Sequence, residues 1–141
     1  MHPPLRRLAR TGAILFVMAS VQWARGQQAT IIDSGSTNRP GMRVTLDHEG
    51  HATIESRNEP VRHLKLREHL CNQFMRDLKA AEPLDALPTR HCMKSASFGS
   101  SMYIEFNGVR SRDLSCSPQA DERAAALQRD ANEILEAAHK R

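Results

Sequence analysis

The sequence predicts a small α+β domain, a four-stranded antiparallel sheet built from two hairpins and packed by two helices in the order ββαββα. Three observations lead there. Residues 43–55 and 102–114 alternate apolar and polar side chains on either side of a Gly-containing turn, the pattern of half-buried hairpins. Residues 61–81 and the stretch after Ser117 instead repeat apolar residues at helical spacing. One face of such a sheet is apolar, and two amphipathic helices on that face are the simplest way to bury it.

The register of the first hairpin follows from its side chains. A two-residue turn at Glu49-Gly50 would set Val44 against Glu55 and mix the faces. A three-residue loop, His48-Glu49-Gly50, sets Leu46 against Ala52 and Val44 against Ile54, with Thr45–Thr53 and Arg43–Glu55 on the other face. Gly50 then supplies the left-handed position that this loop requires.

Pro60 ends this region and a helix is expected from Val61 to Ala81, with Leu70, Cys71, Phe74, Met75 and Leu78 on one side. Glu82-Pro83 stops it, and Leu84 and Leu87 read as core plugs under the connecting loop. The second hairpin turns at Asn107-Gly108, pairing Phe106 with Val109 and Ile104 with Ser111. Its polar face sets Glu105 against Arg110, and Tyr103 against the Arg112 guanidinium. In the last helix Ser117 is the expected N-cap and Pro118 the first helical residue. Leu127, Ala131, Ile134, Leu135 and Ala138 form its apolar stripe.

Residues 1–26 stand apart from the domain. Arg6, Arg7 and Arg10 precede an apolar run from Ala13 to Val21, and Ala24-Arg25-Gly26 offers small residues for cleavage. This is the layout of a secretory signal peptide. The run is about half the length that a spanning helix needs, so no membrane anchor is expected after cleavage. No Cys precedes Cys71, which excludes a lipidation site just after the signal. Residues 27–41 are polar and rich in turn formers, a loosely held arm or one edge strand followed by a loop, and residues 42–141 make up the domain.

The formal charge of +4 belongs to the precursor. Four of the twenty basic residues lie before Gly26 and all sixteen acidic ones after it, so the mature chain balances and no nucleic-acid partner is expected. The only Trp, Trp23, also lies in the signal.

Export permits disulfides, and three cysteines leave one unpaired. Cys92 and Cys116 lie outside the regular elements while Cys71 sits on an apolar helix face, so the expected bond is Cys92–Cys116, with Cys71 a buried thiol. That bond constrains the chain between them. Cys116 lies level with Gly99 in the hairpin register, and an extended 92–99 segment would hold the two cysteines roughly 20 Å or more apart, against a limit near 7 Å. Residues 94–100 are therefore expected to fold back as a compact loop.

No motif establishes a catalytic residue. Asp33-Ser34-Gly35-Ser36 after Ile31-Ile32 resembles the Asp-Ser/Thr-Gly signature of aspartic proteases, whose two carboxylates share a proton. The alternative reading is therefore a retropepsin-like hydrolase using Asp33 as a dimer, although the motif starts too close to the expected mature N-terminus for a strand to be expected before it, and no supporting loop is found after it. His48-Glu49-Gly50-His51 lacks the i, i+4 spacing of a zinc helix and reads as a surface turn. There is no Gly-x-Ser-x-Gly elbow, Ser-x-x-Lys pair or Gly-rich phosphate loop, and neither metal nor cofactor is expected. Recognition falls to the disulfide-pinned loop, with Lys94, Ser95, Phe98, Tyr103 and Arg112 as the candidate surface, against the plain alternative of a solvated face.

Ser-Gly-Ser-Thr-Asn-x-Pro-Gly at 34–41, Ser97-Phe98-Gly99 after Cys92, and Asp113-Leu114-Ser115-Cys116 together resemble a family of small exported bacterial proteins without an assigned activity. The resemblance implies a periplasmic or secreted location and supports the Cys92–Cys116 pairing. The expected function is a non-catalytic exported binding module whose partner is a protein or a cell-envelope component.

Overall fold

The computed structural model describes residues 27–140, so the expected signal peptide lies outside the described residues. The strands are β1 (Ala29–Asp33), β2 (Met42–Leu46), β3 (His51–Ser56), β4 (Arg62–Lys65), β5 (Met102–Phe106) and β6 (Val109–Arg110). Helix α1 (Glu68–Ala80) follows β4, a single 3₁₀ turn spans Leu84–Ala86, and α2 (Glu122–His139) ends the chain. The α+β class holds, but the sheet has six strands, in the order β4-β3-β2-β1-β5-β6 and antiparallel throughout.

Both hairpin turns have the registers that their side chains dictate. Val44 faces Ile54 and Leu46 faces Ala52, while Phe106 faces Val109 and Glu105 faces Arg110. Gly50 has φ +85°, the left-handed region that a side chain disfavours. Leu84 and Leu87 are both buried.

The two additional strands correct the four-stranded expectation. Residues 29–33 are no loose arm or edge but the middle of the sheet. Ile31 pairs with Val44 on one side and Ile104 on the other. Each hairpin leaves an inner edge of unpaired N–H and C=O groups, and β1 satisfies both. The helix expected from Val61 starts only at Glu68. Residues 62–65 alternate half-buried and exposed side chains and pair with the outer edge of β3. An open edge beside the chain outweighs helical spacing that begins properly at Leu66.

The helices cover one face of the sheet. Ile31, Val44, Ile54 and Ile104 meet Phe74 and Leu78 of α1 and Leu127 and Ile134 of α2 in one core. Each of these large side chains contributes about 1.5–3 kcal/mol by leaving water. Cys71 is a buried free thiol that donates to the Asp47 carbonyl at 3.3 Å. Burial, and then the Asp47 charge, push its pKa up against the opposing pull of Lys65. On the open face Thr30, Thr45 and Thr53 lie in one row across three strands.

Helix α2 begins after Asp121, not at Ser117-Pro118. The Asp121 carboxylate accepts from the N–H groups of Arg123 and Ala124 at 2.9 and 3.2 Å, two orphan donors that a Ser117 cap four residues earlier could not reach. The preceding residues serve the core instead. Gln119 donates to the Cys116 carbonyl at 2.6 Å and accepts from the Arg90 N–H at 2.8 Å.

Candidate functional site

β1, β2 and β5 end together at Asp33, Met42 and Met102, and two loops leave the sheet there. One is the 34–41 segment. Asp33 is almost fully buried and directs the turn, accepting from the Gly35 N–H at 2.9 Å and from Arg39 at 2.6 Å. Gly35 has φ +67°, and a Cβ there would strike the backbone of Arg39 and Gly41.

The other loop is closed by the Cys92–Cys116 disulfide, with 5.7 Å between Cα atoms. Residues 94–100 fold back as the bond requires, and the Gly99 N–H donates to the Ser95 carbonyl at 2.6 Å. Lys94 forms an ion pair with Asp113 and donates to the Ser101 hydroxyl at 2.9 Å. Asp113 also accepts from the Met102 N–H, the Ser115 N–H and the Ser115 hydroxyl at 3.1, 2.9 and 2.7 Å. Burial alone would raise the pKa of Asp113. The Lys94 and Ser115 bonds, joined by the Met102 N–H, outweigh it and hold the carboxyl well below the usual range.

The two loops brace one another. Ser34 and Ser101 exchange two bonds, each of 2.8 Å. Thr37 donates to the Ala96 carbonyl at 3.0 Å, and Arg39 to the Ser100 hydroxyl at 3.0 Å. Residues 34–39, 94–101 and 113–115 are thus joined in one place. On this scaffold Met93 is 100% exposed and Phe98 77%.

The candidate surface divides accordingly. Phe98 is presented outward, whereas Lys94 and Ser95 are engaged within the scaffold. Tyr103 lies apart on the open sheet face, and the guanidinium over its ring belongs to Arg110, at 4.2 Å, rather than to Arg112. The reason is that β6 ends after two residues. The Ser111 hydroxyl turns in, accepting from the Ile104 N–H at 2.9 Å and donating to the Arg112 carbonyl at 2.8 Å, so Arg112 leaves the sheet exposed. Met93 was not among the expected residues. Its signal was negative: an apolar side chain in a segment with neither helical nor strand periodicity has no face along which to be buried.

A cleft of about 310 Å³ adjoins the braced loops, lined by Asp33, Arg39, Ser100, Ser115 and His139 among others. The five named groups already have partners. Ser115 donates to Asp113, Ser100 accepts from Arg39, and His139 Nδ1 lies 2.8 Å from the Leu135 carbonyl. Asp33, the residue of the aspartic-hydrolase alternative, has both carboxylate oxygens engaged in closing its own loop.

At the opposite end of β2, Asp47, Glu49 and His51 each bring one possible metal-ligand atom within 4.8 Å of the others. Asp47 accepts from the Glu49 and His51 N–H groups at 2.9 and 3.0 Å. The Lys65 ammonium donates to the Glu49 carbonyl and stands 3.5 Å from His51 Nε2. A cation therefore already faces the histidine, and the trio acts as a clasp for the hairpin loop.

Among the described residues no helix is long and apolar enough to cross a membrane. No protein-family model, no curated protein and no solved structure matches the chain.

Proposed function

We propose that the protein is a non-catalytic, exported binding module that engages a protein or cell-envelope partner through the disulfide-braced loop. The observation that carries this reading is the exposure of Met93 and Phe98 on a segment otherwise fixed by a disulfide, an ion pair and cross-loop hydrogen bonds. Apolar and aromatic side chains of this kind are the usual anchors of interfaces. A braced loop also loses less conformational freedom on binding than a mobile one, which favours affinity. The disulfide is compatible with a periplasmic or secreted location, where the signal-peptide reading also places it.

The test is capture from cell-envelope and culture fractions by the purified protein, compared with Phe98→Ser and Met93→Ser. A partner retained by the parent and lost from both variants, at unchanged Tm, supports the reading. A partner that binds all three equally, or no partner under crosslinking, counts against it.

A further inference from the structure

Asp130 on α2 is completely buried, and its Oδ2 is a buried side-chain atom without a hydrogen-bond partner. Its other oxygen, Oδ1, accepts from Gln73 Nε2 of α1 at 2.8 Å and lies 3.4 Å from Arg129 Nε. Asp77, also on α1, shares the Arg129 guanidinium with Asp130, at 3.8 and 3.4 Å, which brings the two carboxyl groups close together. An orphaned oxygen of this kind calls for a physical account. Two ionised carboxylates this close, one of them fully buried, would repel, whereas one proton between them turns repulsion into a hydrogen bond and gives Oδ2 its partner.

We infer that Asp130 is protonated in the folded protein and donates through Oδ2 to Asp77, making the α1–α2 seam a proton-dependent clasp that is tight in acid and weakens as pH rises. Burial of Asp130 is the main influence on its titration, followed by the Asp77 carboxyl, and both raise its pKa. Gln73 and Arg129 act in the opposite direction. The other charged groups at this seam have partners of their own. Arg76 Nε lies 3.4 Å and Arg129 Nη2 3.8 Å from Asp77, and Glu133, one turn further along α2, pairs with Arg67 at 3.0 Å. Below the ordinary Asp range both folded and unfolded chains hold the proton. Above that range the unfolded chain releases it first, so stability falls as pH rises towards the folded value.

The test is Tm against pH, from about pH 4 to 9, for the purified protein, Asp130→Asn and Asp77→Asn, together with the carboxyl carbon NMR shift of Asp130 in the unaltered protein. The amide of Asp130→Asn reproduces the protonated donor, and the amide of Asp77→Asn supplies a donor to an ionised Asp130. Either variant should therefore remove the alkaline fall in Tm. At the alkaline end Asp130→Asn should melt roughly 3 °C or more above the parent. The Asp130 carboxyl carbon should titrate above the ordinary Asp range. An Asp130 signal ionised throughout this range, or a Tm difference between parent and Asp130→Asn that does not change with pH, overturns the inference.

Discussion

Asp113 and Asp130 are the same side chain in opposite surroundings. Asp113 lies at the braced loops, partly open to water, with an ammonium, a hydroxyl and two backbone N–H groups directed at it. Asp130 lies in the helix seam with one amide donor, a guanidinium to one side and a second carboxylate beside it. Asp113 is partly and Asp130 wholly removed from water, yet burial is overcome at the first site and reinforced at the second. The charge state of a buried acid is therefore decided by the donors its neighbours supply. The loop end of the molecule is held by charge, and the helix seam by a neutral carboxyl.

The strongest perturbation of this contrast is loss of the disulfide. Replacing Cys92 and Cys116 by Ala should lower stability by about 3 kcal/mol, from reopening a loop of about 25 residues, as read by urea unfolding. Next comes Asp113→Asn, which leaves Lys94 without its counter-ion and weakens the caps on Met102 and Ser115. A cost of about 2 kcal/mol is expected at neutral pH. Because the folded carboxyl titrates below its unfolded value, this contribution is complete above the ordinary Asp range and is lost as pH falls from that range through the depressed folded value. The variant's deficit should therefore shrink in acid. Asp130→Asn should show the opposite sign, matching the parent in acid and gaining at alkaline pH. If the two variants depended on pH in the same direction, the contrast would fail.

Smaller effects belong to the open face and the exposed loop. Arg110→Ala removes the cation over Tyr103 and should cost about 0.5–1 kcal/mol in thermal or urea unfolding, while Arg112→Ala should cost less. Phe98→Ser should leave stability within about 0.5 kcal/mol of the parent and act only on partner capture.

The turn regions were legible in the sequence because they are local. Alternation, loop length and a left-handed Gly place Val44 opposite Ile54, and Asn107-Gly108 places Phe106 opposite Val109, without reference to the rest of the chain. The braced loop was legible for a related reason, since a disulfide has a short reach and the hairpin register fixed where one end stood. What fills the loop was not: Met93 carries no periodic signal, and the partners of Lys94 lie on segments that meet only in the folded chain.

The sequence by itself determined the α+β class, both hairpin turns, the folded-back loop and the apolar stripes, all of which arise from side-chain period and chain geometry over short distances. Only the tertiary structure decided that residues 29–33 form the central strand, that Arg62–Lys65 is an edge strand rather than a first helical turn, and that Asp130 meets Asp77. Each depends on an unpaired edge or a facing carboxylate contributed by a remote segment, and a strand's own residues do not record which edge will accept it.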